Sequence, residues 1–473
     1  MLFPTVEYAL FFLAVLVVAW SLHRYPALHK SFLLAASYLF YGFWNWTYLP
    51  LLFGISLFSA LVAQRIQRSQ DPKHRKRWLM GGAAACLAVL AFYKYTGFLL
   101  TNLLALWGHF AAPPRIPIYS PLLPLGISFF VFHAISLLAD CYRKKVKQRV
   151  SVADALLYVA FFPQLIAGPI LRASRFLPQL DQPRDPRRIR VNRAFLLICG
   201  GLFKKVVISN MLATRLVEPV FSVPQSYGGL DTLLAIYGYA AQIYCDFSGY
   251  TDIATGCALL LGFRFPRNFN APYTSASPQE FWRRWHISLS TWLRDYLYFP
   301  LGGSRNGNLR TAVNLMITML LGGLWHGAAW TFVAWGGLHG AYLVIHRYWT
   351  RIPWLPLRRF RVTETWKWTA RILLFHAVCA GWVFFRASTF SIAFSVFSRL
   401  FAPGPATLAA TPVLLVLFLG LAGQWTPARW RNGLELEMGR WPALARGAAL
   451  AAVLTLIEIL GPTGVAPFIY FQF

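Results

Sequence analysis

The sequence predicts an all-α fold: a polytopic helical membrane protein with roughly ten to twelve embedded segments. Three observations lead there. Of 473 residues, 57% are hydrophobic, 17% aromatic and 13% charged, which excludes an ordinary soluble enzyme. Apolar runs approaching the ~20 residues needed to cross lipid recur along the chain. The basic residues, behind a formal net charge of +29, gather in short clusters between those runs, as cytoplasmic loops of membrane proteins do.

The elements follow in order. Tyr8–Trp20 with its flanks is the first run; no Lys or Arg precedes it and no small-residue cleavage site follows, so it reads as a retained anchor. It meets the cluster His23–Lys30, and Ser31–Tyr48 with Leu49–Gln64 forms a hairpin back to Arg65–Arg77. Leu79–Leu100 runs out to the sparsely charged loop Thr101–Ser120, and Leu122–Ala139 returns to Arg143–Arg149. Ala155–Leu171 differs. Basic clusters flank both its ends, and Phe162-Pro163-Gln164 and Ala167-Gly168-Pro169-Ile170 break it, which predicts a re-entrant or in-plane element. Ala194–Leu212 is interrupted by Lys204-Lys205, Leu233–Tyr244 follows with its flanks, and Gly447–Leu460 is a marginal last run.

Asn314–Val344 repeats the re-entrant pattern, with Ser304–Arg310 before it and His346-Arg347 after it. It is too long for one straight span. Gly322-Gly323 reads as an interruption, which places His326 near the turn of a hairpin at mid-membrane. The expectation is one domain, residues 1–473, with a motif core near residues 160–346 and broken helices around a central tunnel.

Other function classes find less support in the sequence. The basic clusters sit in loops and suit anionic headgroups; nothing resembles a stacking platform or nucleic-acid recognition module. The six cysteines lack ligand-type spacing and read as packing residues, so no metal site is expected. A small-molecule transporter, which would also carry embedded His and Asp, stays open as the alternative from another class, although no inverted repeat favours it.

Chemistry concentrates between Phe281 and His346, which hold four of the ten histidines. In Ser277–Phe299, Ser277-Pro278-Gln279-Glu280 has the signature of a helix start, and Pro300, Gly302 and Gly303 end it. Trp282, Trp285, His286, Leu289, Trp292, Leu293 and Tyr296 recur at helical spacing, so the segment reads as one helix with His286 inside an aromatic stripe. Arg283, Arg284 and Arg294 lie off that stripe, which favours an interfacial position over a span.

A lone histidine on an apolar stripe is more often a hydrogen-bonded core residue than a catalyst, and His286, His339, His133 and His376 all admit that reading. His326 sits in Leu320–Trp330, an almost wholly apolar run. A titratable imidazole there is costly and needs a reason, either a packed core role or chemistry, and its surroundings offer little side-chain polarity to justify burial. Gln242, Asp246 and Asp252 form the other embedded polar cluster, either paired structurally or orienting a histidine.

Gln242–Asp252, Phe281–Ser290, Leu301–Arg305 and Gly323–Gly327 together resemble the membrane-bound O-acyltransferase family, its bacterial alginate O-acetylase branch above all. Phe162–Ile170, Trp382–Ala387 and the terminal Phe468–Phe473 extend the match over nearly the whole chain. The resemblance implies that His326 is the family's essential histidine and His286 its second position. It leaves the polymer open, since alginate, cellulose and peptidoglycan systems use similar membrane subunits and a sibling transfers D-alanyl groups to teichoic acid.

Acetyl transfer from a thioester to a hydroxyl needs a base and a stabilised oxyanion, and a neutral imidazole suits the first role. The expectation is therefore an acetyltransferase of the bacterial inner membrane, with His326 as base or acetyl relay and His286 positioning a reactant. Acetyl-CoA is the expected donor, used without a permanently bound cofactor, its phosphates met by Arg283, Arg284 and Arg305. With no G-x-S-x-G motif and no large polar segment, the chain is expected to pass acetyl groups to a separate exported protein that modifies the polysaccharide.

Overall fold

The structure is a computed structural model that describes residues 3–110, 120–166, 168–182, 185–353 and 361–461. Part of the Thr101–Ser120 loop, Ala167, the middle of Arg347–Arg361 and the terminal Phe468–Phe473 motif lie outside the described residues. Among those described, every regular element is helical. The chain divides into two compact units, Met1–Val191 with Ala254–Pro266, and Asn192–Ile253 with Arg267–Phe473.

In the first unit, α1 (Val6–Ser21), α2 (Pro26–Asn45), α3 (Leu49–Arg68), α4 (Pro72–Trp107) and α5 (Ile127–Tyr142) are the long helices. Proline in the first turn starts α2, α3 and α4, where its missing N–H has no intrahelical partner to lose. Asp71 caps α4 by accepting from Lys73 N at 2.9 Å.

The Ala155–Leu171 region is broken as read, into α6 (Val152–Ala160), α7 (Phe162–Leu165) and an extended stretch that leads to α8 (Ala173–Leu180). Side chains satisfy its irregular backbone. Ser37 Oγ accepts from Phe162 N at 3.2 Å, His133 Nε2 from Leu171 N at 3.1 Å, and Tyr158 Oη donates to Leu171 O at 2.7 Å. Such backbone is tolerated at depth only inside protein, and here it is buried. His133 is thus the hydrogen-bonded core histidine.

The second unit opens with the helical run α9 (Val191–Ser222) and includes most of α10 (Gly229–Leu260). Lys204-Lys205 does not end α9. The backbone widens into π-helix over Phe203–Ser209, and both lysines turn onto α10: Lys204 Nζ lies 2.5 Å from Asp252, and Lys205 Nζ 2.5 Å from Asp246. A π-bulge realigns side chains without breaking a helix. Gly249 sits where the backbones meet; a Cβ there would lie 2.7 Å from Gly201 O.

Ser277–Phe299 is not one helix. It forms α11 (Pro278–Arg284) and α12 (Ile287–Leu293), then a π-helical turn over Arg294–Tyr298. The predicted start holds, with Ser277 Oγ accepting from Glu280 N at 3.2 Å and Glu280 Oε2 from Ala276 N at 2.9 Å. The stripe breaks because His286 takes a left-handed backbone (φ 38°). Periodicity cannot see that conformation.

The predicted hairpin is α13 (Gly307–His326) and α14 (Trp330–Trp349), with His326 as the last residue of α13. Gly322-Gly323 does not interrupt α13; glycine here serves close approach. A Cβ on Gly323 would lie 2.2 Å from Phe332 O, and one on Gly336 would lie 2.3 Å from Met319 O. Gly336 and Gly340 stand one turn apart, the small-xxx-small spacing of tight membrane helix pairs. Then come α15 (Glu364–Arg386), α16 (Phe390–Arg399), α17 (Thr411–Ala422), α18 (Ala428–Arg440) and α19 (Ala443–Leu460).

Among the described residues, five helical stretches are long and apolar enough to cross a membrane: Pro26–Arg68, Pro72–Trp107, Val191–Ser222, Glu364–Arg386 and Ala443–Leu460. Four shorter apolar helices, Val6–Ser21, Ile127–Tyr142, Phe390–Arg399 and Thr411–Trp425, join them. The chain is a multi-pass membrane protein.

Candidate active site

His286, His326 and His339 lie in the second unit and are all buried. The break between α11 and α12 turns His286 toward the loop before α11. There Asn268 Oδ1 meets three partners: Ser288 N at 3.1 Å, Ser288 Oγ at 2.9 Å and His286 Nδ1 at 3.2 Å. A backbone N–H can only donate, so the Asn268 atom facing Ser288 N is its oxygen. That oxygen can only accept, so His286 carries its proton on Nδ1 and a lone pair on Nε2. Among the described residues Nε2 has no hydrogen-bond partner. The histidine lies outside the spanning stretches, and burial pushes it down to about 3, keeping the imidazole neutral. Phe247 meets the ring edge-on at 4.6 Å between centroids.

His326 is 3% exposed, and aromatic rings cover it: Trp325 and Trp335 at 5.0 Å and Phe385 at 5.2 Å between centroids. Trp325 also faces His286, at 6.4 Å. One indole thus flanks both catalytic candidates. The glycines beside His326 are closely packed: a Cβ on Gly327 would lie 2.1 Å from the Phe332 ring, and one on Gly322 would lie 3.2 Å from Leu293. These glycines bring packing atoms close.

His339 joins the same aromatic cluster. Because His326 and His339 belong to different helices, both reach Trp335, His339 at 4.9 Å. His339 also stacks on Phe281 at 5.8 Å, and a Cβ on Gly381 would lie 3.2 Å from its Nε2. It packs α14 against α11 and α15.

The other candidates separate. Arg284 is occupied, pairing with Glu280 at 2.8 Å and donating to Asn270 O at 3.1 Å, which ties α11 to the loop bearing Asn268. Arg283 and Arg305 are exposed. Asp246 and Asp252 hold the two lysines, and Gln242 Oε1 is buried without a hydrogen-bond partner among the described residues. Asp246 is followed in α10 by Phe247, whose ring packs on His286.

Asn268 and the cage residue Trp335 were not anticipated; Ser288 and Phe385 lie within the motifs Phe281–Ser290 and Trp382–Ala387 but had been given no role. A loop asparagine lacks periodicity, and its only sequence signal is proximity to the motif that follows.

Comparison with known proteins places the chain among acyl-transfer proteins. The family model described as MBOAT, membrane-bound O-acyltransferase family, matches residues 95–395. The chain is 41% identical over 386 residues to a protein named probable alginate O-acetylase AlgI from Azotobacter vinelandii, covering 81% of this chain and 75% of that one. It is 37% identical over 466 residues to the protein of the same name from Pseudomonas putida, covering 93% and 94%. Identity to the peptidoglycan O-acetyltransferase of Helicobacter pylori is 39% over 400 residues, covering 78% and 73%.

Proposed function

As the chain belongs to the membrane-bound O-acyltransferase family and is an acyltransferase, we propose that it passes acetyl groups from cytoplasmic acetyl-CoA across the bacterial inner membrane for O-acetylation of an exported polysaccharide. Alginate is the first candidate polymer, supported by the names of two similar proteins. A separate exported protein receives the acetyl group and modifies the polymer.

The observation that carries the reading is the pair of buried imidazoles flanking Trp325, one of them locked by Asn268 in a single tautomer. In the proposed step the acceptor oxygen forms a bond to the thioester carbonyl carbon and the carbon–sulfur bond breaks. His326 takes the hydroxyl proton and returns it to the departing thiolate. The His286 Nε2 lone pair accepts from a second hydroxyl of the acceptor, which orients it and leaves the proton of the attacking hydroxyl to His326. Neutral imidazoles suit both roles near neutral pH. Arg283 and Arg305 remain open to contact the donor phosphates. Because rings cover His326, the passage from both faces opens by movement of neighbouring side chains rather than by standing space.

The test is acetate release from polymer made by cells carrying His326→Ala, with membrane level of the chain as the control. Loss of acetylation at normal level is expected; retained acetylation would overturn the assignment. Which polymer loses acetate distinguishes alginate from peptidoglycan and cellulose, and loss of D-alanine instead would favour the sibling reaction.

A further inference from the structure

The first unit holds a cavity of about 610 Å³ that the acyl-transfer reading does not use. Three arginines from separate elements line it: Arg175 of α8, Arg188 of the turn Pro186–Arg188, and Arg264 of the segment after α10. A single carboxylate, Asp185, faces them, and it pairs with Arg188 at 3.3 Å. The guanidiniums of Arg175 and Arg264 are exposed and make no hydrogen bond or ion pair among the described residues. Like charges gathered in one cavity repel, and only an anion relieves that.

The cavity also has an apolar side, formed by Trp20, Leu171, Phe176 and Phe265. The Trp20 indole N–H is fixed on Leu260 O at 3.0 Å, leaving the ring as a wall. Phe176 stacks on Phe263 at 5.3 Å between centroids. Arg264 is held from behind, because Gln179 Oε1 accepts from Arg264 N at 2.8 Å while Gln179 Nε2 donates to Arg264 O at 3.2 Å. The cationic rim is therefore built on a firm base. The volume falls within the ~300–1,000 Å³ range of small-molecule sites and exceeds what inorganic phosphate would fill.

We propose that this cavity binds a phosphorylated amphiphile, its phosphate on Arg175, Arg188 and Arg264 and its apolar portion on Trp20, Phe176 and Phe265. Guanidinium forks match phosphate oxygens in pairs. The basic loops around the cavity face the cytoplasm by the positive-inside rule, where anionic lipid headgroups and soluble phosphorylated metabolites both occur. The inference is independent of the polymer acetylated.

The test uses the full chain in phosphatidylcholine nanodiscs, by thermal unfolding. One arm adds phosphatidylglycerol to the bilayer, and the other adds soluble adenosine 3′,5′-bisphosphate. One arm should raise the melting temperature by roughly 3 °C or more at saturation, an effect weakened by salt. In Arg175→Gln/Arg188→Gln/Arg264→Gln the shift should vanish while the unliganded melting temperature stays in place, since all three side chains are exposed. The responding arm identifies the source of the phosphate. No shift in either arm, or a shift that survives in the triple variant, overturns the proposal. Should the triple variant fail to fold, Arg264→Gln alone decides the question: it is expected to weaken binding about tenfold, and unchanged binding overturns the proposal.

Discussion

Asn268 Oδ1 stands 3.2 Å from His286 Nδ1 and fixes which nitrogen of that imidazole carries its proton. The same oxygen takes both donors of Ser288, so one amide sets the ring's direction and the backbone that follows it. Asn268→Ala should keep the chain in the membrane, cut acetyl transfer by at least about tenfold and be only partly rescued by Asn268→Asp, a carboxylate that also accepts but brings a charge into a buried site. Polymer acetate per unit of membrane-inserted chain measures it. Full activity in Asn268→Ala would show that the tautomer does not matter.

His326→Ala should lower acetyl transfer by about a hundredfold or more, the range of a lost general base. His286→Asn should lower it strongly, and His339→Ala less, because His339 serves packing. Equal losses at all three, tracking reduced protein level, would mean that folding rather than chemistry had been removed.

His286 also predicts a pH response. Its folded value is pushed down to about 3, whereas an unfolded imidazole titrates near 6.5. The unfolded state thus binds the proton first, so the stability this group contributes is complete above about 6.5 and declines as pH falls toward 3. Asn tolerates the left-handed backbone that His286 adopts, so His286→Asn should fold and melt with a shallower acid decline than the natural chain. An unchanged decline would remove His286 as a contributor.

The hairpin glycines give contrasting variants. Gly323→Ala and Gly336→Ala place a methyl 2.2 Å and 2.3 Å from carbonyl oxygens of the facing helix, and each should destabilise by about 3 kcal/mol or more. Gly337→Ala meets only Leu320 at 3.6 Å and should be nearly neutral. Gly327→Trp, attractive as a plug beside His326, should instead unfold the hairpin, since even a Cβ there meets the Phe332 ring. Detergent melting curves separate these outcomes.

The buried pair Lys205–Asp246, 1% and 3% exposed, should respond asymmetrically. Lys205→Ala alone leaves a carboxylate in the interior and should cost about 3–5 kcal/mol, whereas Lys205→Met with Asp246→Leu should cost far less. If the double variant is stable yet slow, the pair also holds Phe247 against His286.

Much of this was legible in the sequence. Apolar runs and basic loops announce a helical membrane protein; proline and glycine mark the break in Phe162–Ile170, and the length and basic flanks of Asn314–Val344 mark the hairpin at His326. What escaped was conformation without periodicity. The left-handed turn at His286 looks like one more stripe residue, and Gly322-Gly323 reads as a break because the sequence does not show the facing carbonyl. Lys204-Lys205 likewise reads as an interruption, since its partners lie on another helix. Asn268 could not be chosen from other loop amides, for its role exists only once Ser288 and His286 surround it.

The two lysines of α9 have a consequence for how the protein is made. A lone helix bearing adjacent ammonium groups pays about 2.5–3.5 kcal/mol for each one placed at mid-membrane, and the carboxylates that neutralise them emerge later, on α10. Stable lodging of α9 in lipid is therefore expected to wait for translation of α10, so that the two are integrated as a pair. Chains stopped after Ser222 should be extracted from membranes by alkaline wash, and chains stopped after Leu260 should resist it; equal resistance would show that α9 integrates unaided. On this view the ribosome delivers the scaffold behind His286 as one indivisible insertion event.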